Sequence, residues 1–72
     1  NPTTSNVVVE LPKEMTGAQY RVLDVTGRVI FEGKGSAAMP ILELELGGIQ
    51  SGLYIFEAFD AKRVLHKRII KQ

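Results

Sequence analysis

The chain has 72 residues, of which 44% are hydrophobic and 24% are charged, with a net charge of +1 and no cysteine. This length allows one domain, which buries only about 60–65% of its unfolded surface, so we expect marginal stability. The lack of cysteine excludes disulfides and thiolate metal sites, and no stretch approaches the roughly 20 apolar residues of a membrane helix.

The first predicted strand follows a short leading segment. Because the sequence begins at Asn1 without a Met or a signal peptide, we expect it to be a piece of a longer protein. Residues 1–5 are predicted to be extended, since Pro2 disfavours helix at the residue before it. Residues 6–11 alternate in hydrophobicity, which predicts a strand that Pro12 ends because proline cannot donate to a sheet ladder. One face of this strand carries Val7, Val9 and Leu11.

A hairpin is predicted for residues 20–24 and 28–32. Gly27 can adopt the positive φ of a short hairpin loop, and the side chain of Asp24 can accept hydrogen bonds from the turn amides. The glycine-rich residues 33–36 are predicted to form a flexible loop.

Residues 41–46 show the clearest alternation in the sequence. Leucine occupies positions 42, 44 and 46, and glutamate occupies positions 43 and 45. A period of two does not place leucines on one side of a helix, so a strand with one buried face is predicted. The two glutamates are expected to face solvent rather than to work as an acid–base pair.

Residues 53–59 and 64–71 predict a closing hairpin around the polar turn 60–63. Tyr54, Phe56 and Ala58 share one side of its first strand, and Leu53, Ile55, Glu57 and Phe59 share the other. Apolar residues on both sides predict a central strand, and the pattern leaves open which side meets the core. Tyr54 follows the glycine-rich corner 47–52, where it either bonds the corner backbone or packs as an ordinary half-buried aromatic.

These short strands, spaced roughly ten residues apart, predict an all-β fold. The expected architecture is an antiparallel β-sandwich of about six to seven strands with Greek-key topology. The spacing leaves no room for the helical crossovers that parallel strands require.

The charges are distributed unevenly along the chain. Residues 1–61 carry four basic and eight acidic side chains, a balance of −4, whereas residues 62–72 carry five basic and no acidic ones, a balance of +5. The five are Lys62, Arg63, Lys67, Arg68 and Lys71. Such asymmetry can steer a charged partner, but it is also typical of a solvated edge strand that lysine protects from aggregation.

The residues show no pattern of catalytic or cofactor chemistry. His66 is the only histidine, and a metal site usually needs three or four ligands. Ser5, Ser36 and Ser51 lie in predicted loops, and none stands in a nucleophile elbow. The basic residues lack interleaved aromatics for base stacking, which disfavours nucleic acid as a partner. We therefore expect a chain that is not an enzyme and holds neither a metal ion nor a cofactor.

Four segments follow one another along the chain as a recognisable series. They are an Asn-Pro-Thr opening at residues 1–5, an Asp-x-x-Gly-Arg hairpin within residues 20–30, a corner from Leu46 to Tyr54 that ends in Gly-Leu-Tyr, and a basic-hydrophobic segment at residues 67–71. In order and spacing they resemble the C-terminal sorting domains of the type IX (Por) secretion system. The resemblance covers essentially the whole chain, residues 1–72.

The resemblance implies an Ig-like β-sandwich that acts as a non-catalytic sorting signal. Such a domain belongs to a larger cargo protein, which crosses the periplasm and passes through an outer-membrane translocon to the cell surface of certain Gram-negative bacteria. The implied partners are this translocon and a sortase-like peptidase, whose cleavage site is expected upstream of residue 1. The chain departs from the family pattern at Ser5 and in the turn 60–63, where glycine is frequent in the family.

The resemblance also assigns roles to two groups of residues. Asp24, Gly27 and Arg28 would shape the first hairpin, and Gly52 and Tyr54 would set the corner. The end that the translocon recognises would comprise Lys67, Arg68, Ile69, Ile70 and Lys71. We expect the exposed edge of this strand to pair with a partner strand and its cations to complement an acidic groove.

Other classes of function stay open at this stage. The main alternative is an Ig-like or fibronectin-like module, structural or carbohydrate-binding, of a secreted surface protein. Tryptophan is absent, so an aromatic platform for glycans is thin. A small hydrolase would need a second histidine or a paired acid. A homodimer formed by exchange of an edge strand is also open.

Overall fold

The structure, a computed structural model, describes residues 6–71 of the chain. The predicted leading segment at residues 1–5 lies outside the described residues. The strands are β1 (Asn6–Glu10), β2 (Gln19–Asp24), β3 (Val29–Lys34), β4 (Ile41–Glu45), β5 (Gly52–Phe59) and β6 (Val64–Lys71). A 3₁₀ turn, Lys13–Met15, stands where the sequence predicted only a connection, and it places Met15 in the core. The prediction of an all-β fold is confirmed.

The strands form two antiparallel sheets that pack as a sandwich. One sheet has two strands in the order β1-β4, and the other has four in the order β3-β2-β5-β6. The chain changes sheets between β1 and β2, between β3 and β4, and again between β4 and β5, which is the Greek-key pattern. β5 is therefore a central strand, as predicted, and β6 lies at an edge with β5 as its neighbour.

The core lies between the two sheets and follows the predicted alternation. In β4, Leu42 and Leu44 point inward and are followed by the buried Leu46, while both glutamates are exposed. In β5, the side that carries Tyr54, Phe56 and Ala58 is buried against the core. This settles the orientation that the sequence left open. The opposite side of β5 lies on the outer face of the four-stranded sheet, which the two-stranded sheet does not cover.

The prediction of a flexible loop at residues 33–36 is wrong for its first half. Gly33 and Lys34 belong to β3, where Gly33 lies directly opposite Tyr20 of β2. A Cβ atom on Gly33 would lie 2.7 Å from the Tyr20 hydroxyl oxygen and 2.9 Å from its Cζ. The ring of Tyr20 stacks on Phe56 with centroids 5.7 Å apart. Glycine stands in this strand because the tyrosine ring needs the space, and not because the backbone turns.

This packing predicts that Gly33→Ala is destabilising. The added methyl group must displace the Tyr20 ring from its stack on Phe56, and overpacking of this kind costs about 1–3 kcal/mol. Gly48→Ala is the matched control, since a Cβ atom there meets nothing within 4 Å. Urea unfolding of both variants measures the difference. Equal free energies of unfolding would show that the tyrosine moves without cost.

Candidate recognition site

The first motif forms a tight turn between β2 and β3. One carboxylate oxygen of Asp24 accepts hydrogen bonds from the backbone N–H of Thr26 at 2.9 Å and of Arg28 at 3.0 Å. Gly27 has a φ of +90°, the left-handed region that favours glycine. The pKa of Asp24 is lowered, mainly by the hydrogen bond from the Thr26 hydroxyl. The geometry expected of Asp24 and Gly27 is present.

The second motif forms the corner that leads into β5. The hydroxyl of Tyr54 donates a hydrogen bond to the backbone carbonyl oxygen of Gln50 at 2.7 Å. Of the two alternatives for this side chain, the one that bonds the corner is therefore correct. Gly52 begins β5 with a φ of +148°, which a residue with a Cβ atom rarely adopts.

The two motifs meet at one end of the sandwich. Asp24 and Tyr54 are direct cross-strand partners in the β2–β5 pair. An open groove of about 540 Å³ runs between the turn and the corner, lined by Arg28 and Ser51 among others. Asp24 of the turn and Tyr54 of the corner both line this groove, so the two motifs share its walls.

The third predicted segment lies on β6, and alternation divides it between two faces. Ile69 points into the core and is only 5% exposed, whereas Ile70 points to the outer face and is 72% exposed. Lys67 and Lys71 share the inner side with Ile69, and Arg68 shares the outer side with Ile70. The five residues therefore do not form one contact face. Within residues 6–71, none of the three cations makes an ion pair.

A polar ladder that the sequence did not reveal crosses the outer face. Glu57 of β5 accepts a hydrogen bond from Nε of Arg21 on β2 at 2.9 Å, and its other oxygen lies 2.9 Å from Nε2 of His66 on β6. The guanidinium of Arg21 also stacks over Phe59, 4.7 Å from the ring centroid. The hydrogen bond from His66 and then that from Arg21 lower the pKa of Glu57. The available signal was one acid in an otherwise apolar central strand, since such an acid needs partners on both neighbouring strands.

No group of three or more His, Cys, Asp or Glu side chains that could hold a metal ion occurs in residues 6–71. In the same span, no helix has the length and apolar character needed to cross a membrane.

The chain matches a known protein family. A family model described as the secretion system C-terminal sorting domain matches residues 1–72. No curated protein and no solved structure gives a significant match. The matched range includes the turn at Asp24, the corner at Tyr54 and the whole of β6.

We expect Tyr54→Phe to lower stability. Loss of the hydroxyl removes the bond to the Gln50 carbonyl, and a neutral hydrogen bond contributes about 0.5–1.5 kcal/mol. Tyr20→Phe is the matched control, because the Tyr20 hydroxyl has no hydrogen-bond partner within residues 6–71. Thermal unfolding should show a lower Tm for Tyr54→Phe than for Tyr20→Phe. An equal Tm would mean that the corner does not depend on this bond.

The lowered pKa of Glu57 predicts acid sensitivity. A carboxyl group whose folded pKa lies below its ordinary value of 4.5 stabilises the fold above pH 4.5. That contribution is lost as the pH falls through the folded pKa. Glu57→Gln should therefore reduce stability at pH 7 and lose less additional stability between pH 7 and about pH 3 than the natural chain does. Unfolding curves across this range test the prediction. Parallel pH profiles of stability for the variant and the natural chain would show that the contacts of Glu57 with Arg21 and His66 do not stabilise the fold.

Proposed function

Because the chain belongs to the family of secretion system C-terminal sorting domains, we propose that it directs a larger cargo protein through the outer-membrane translocon of the type IX system to the cell surface. In this proposal it is a non-catalytic signal that passes through the periplasm as part of its cargo. Its partners are the translocon and a sortase-like peptidase. That the chain is a sorting signal for type IX secretion follows from the family itself.

The proposal rests on the pairing, the edge position and the exposed charge of β6. The strand is folded onto β5 along its whole length, from Phe59↔Val64 to Gly52↔Lys71. It nevertheless lies at the sheet edge, and Lys67 and Arg68 are exposed without an ion pair inside residues 6–71. An exposed edge strand that carries positive charge is a surface that an acidic receptor groove can recognise after folding.

The structure also bears on the alternative of carbohydrate binding. Tyr54 and Phe56 are buried, and the remaining aromatic side chains, Tyr20, Phe31 and Phe59, are half-buried in the sandwich or against Arg21. They are therefore engaged in packing and do not form an exposed platform. This gives the carbohydrate-binding alternative no support.

Truncation from Lys67 onward should retain the cargo in the periplasm, but it cannot separate recognition from folding. The deletion removes the buried Ile69 together with its pairing to Tyr54 of β5. Loss of such a core side chain typically costs about 2–5 kcal/mol, a large share of the stability of a small domain. Substitutions at exposed positions of β6 are the sharper test.

We predict that Arg68→Glu reduces surface display of a fused reporter several-fold. The reporter carries a signal peptide and is expressed in a bacterium that has a type IX system. Lys34→Glu is the matched control, because Lys34 has the same charge and is also exposed on the outer face, but it lies on β3 at the opposite edge. Extending the reversal to Lys67 and Lys71 should enlarge the loss.

Each variant is also unfolded thermally, so that recognition is separated from stability. The expected result is a loss of display for Arg68→Glu at an unchanged Tm. Equal display of the two variants, or a loss of display that follows the Tm, would contradict recognition of the basic strand.

A further inference from the structure

The backbone N–H and C=O groups of β6 alternate in direction, so that every second residue points its groups to the open edge. In an antiparallel pair, residues alternate between those that bond the neighbouring strand and those whose N–H and C=O point away from it. The backbone N–H of Asp60 bonds the carbonyl oxygen of Arg63 at 3.0 Å, which fixes that pair as a bonded one. The register runs without a bulge from there to Gly52↔Lys71.

Counting from that pair assigns every residue of the strand. The residues that bond β5 are Leu65, Lys67, Ile69 and Lys71. The residues whose backbone groups point to the open edge are Val64, His66, Arg68 and Ile70. The hydrogen bonds of β2 agree with this assignment. The N–H of Asp24 points away from β5, as the alternation requires, and bonds the carbonyl oxygen of Arg28. Within residues 6–71, no other segment forms a backbone hydrogen bond to the open edge of β6.

The residues with outward backbone groups are also those whose side chains lie on the outer face. In a strand added to this edge, each residue opposite one of them would point to the same face. Arg68 would then meet one side chain of the added strand, and Ile70 would meet another two positions along. Ile70 is 72% exposed and lies opposite Leu53, which is 39% exposed, so the two form an apolar patch beside the edge.

The charge on the strand bears on which partner can pair with it. Two copies of β6 paired edge to edge would bring Lys67, Arg68 and Lys71 of one copy close to those of the other, and β6 carries no acidic residue to offset them. Like charges on facing strands are destabilising. A second copy is therefore a poor occupant, and an acidic segment is a good one.

We propose that the export machinery adds an extended segment to the open edge of β6 and bonds the outward backbone groups of His66, Arg68 and Ile70. Carboxylates of that segment lie opposite Lys67, Arg68 and Lys71, and an apolar side chain packs on Ile70, which extends the apolar patch that Ile70 forms with Leu53. This inference rests on the proposed sorting function and names the chemistry of the partner at that same strand.

A pair of substitutions at one position separates backbone from charge. Arg68→Gln removes the charge and keeps the N–H, whereas Arg68→Pro removes both. Proline is tolerated on an edge strand where its nitrogen faces outward, so the ladder to β5 should survive. Glu32→Pro on β3 is the control for proline at an edge strand. Glu32 is exposed, and by the same alternation of hydrogen bonds its N–H points away from β2 to the open edge of β3.

The readout is surface display of the fused reporter, with thermal unfolding of each variant. We expect Arg68→Pro to display at least tenfold less than Arg68→Gln at a similar Tm, and Glu32→Pro to display normally. Equal display of Arg68→Pro and Arg68→Gln would overturn strand addition while leaving the sorting function in place. Absence of display with the natural sequence would instead overturn the sorting function.

A second pair tests the apolar contact without proline. Ile70→Thr should reduce display several-fold, while Val64→Thr should not, although Val64 is 60% exposed on the same face of the same strand.

Amide hydrogen exchange of the full chain tests which backbone amides of β6 point to the open edge. The amides of His66, Arg68 and Ile70 should exchange faster than those of Leu65, Lys67 and Ile69. The absence of this alternation would overturn the assigned edge.

Discussion

The four-stranded sheet and the position of β6 at its edge depend on the antiparallel pairing of β5 with β2 on one side and β6 on the other. One side of β5 supplies Phe56 to the centre of the core, where it is fully buried. Within residues 6–71, the same strand is the only neighbour of β6 in its sheet. The strand proposed as the signal, β6, is therefore held by its backbone hydrogen bonds to β5 and by the burial of Ile69. The core of the sandwich and the position of the basic edge therefore depend on the same strand, β5.

The two-stranded sheet does not cover the outer face of the four-stranded sheet, and this face carries the contacts of Arg21, Glu57 and His66. Glu57 bonds Arg21 and His66, which joins three adjacent strands across the sheet. Exposed pairs of this kind contribute little energy individually. Glu57 is the direct register partner of both Arg21 and His66, and these three residues lie on the same face of the sheet as Arg68 and Ile70.

Alternation and turn chemistry were enough to predict most of the fold. Leucine at positions 42, 44 and 46 predicted a buried face, and Gly27 and Asp24 predicted the turn geometry that the structure shows. The sequence could not place Gly33, because a glycine beside a loop looks the same whether the backbone turns or a ring packs over it. It also missed the partners of Glu57, since cross-strand contacts depend on register, and register depends on the whole sheet. Period two alone separates Ile69 from Ile70, but only the pairing with β5 shows which of them is buried.

In the proposed function, the signal is a folded edge strand and not a linear basic peptide. The most direct test compares two reporters in a bacterium with a type IX system, one fused to residues 1–72 and the other to residues 62–72 alone, which carry the same five basic side chains. Surface display is measured for both by protease access to intact cells. We predict display for the full chain and periplasmic retention for the short segment. Equal display of the two reporters would show that the basic residues suffice without the sandwich and would contradict the account.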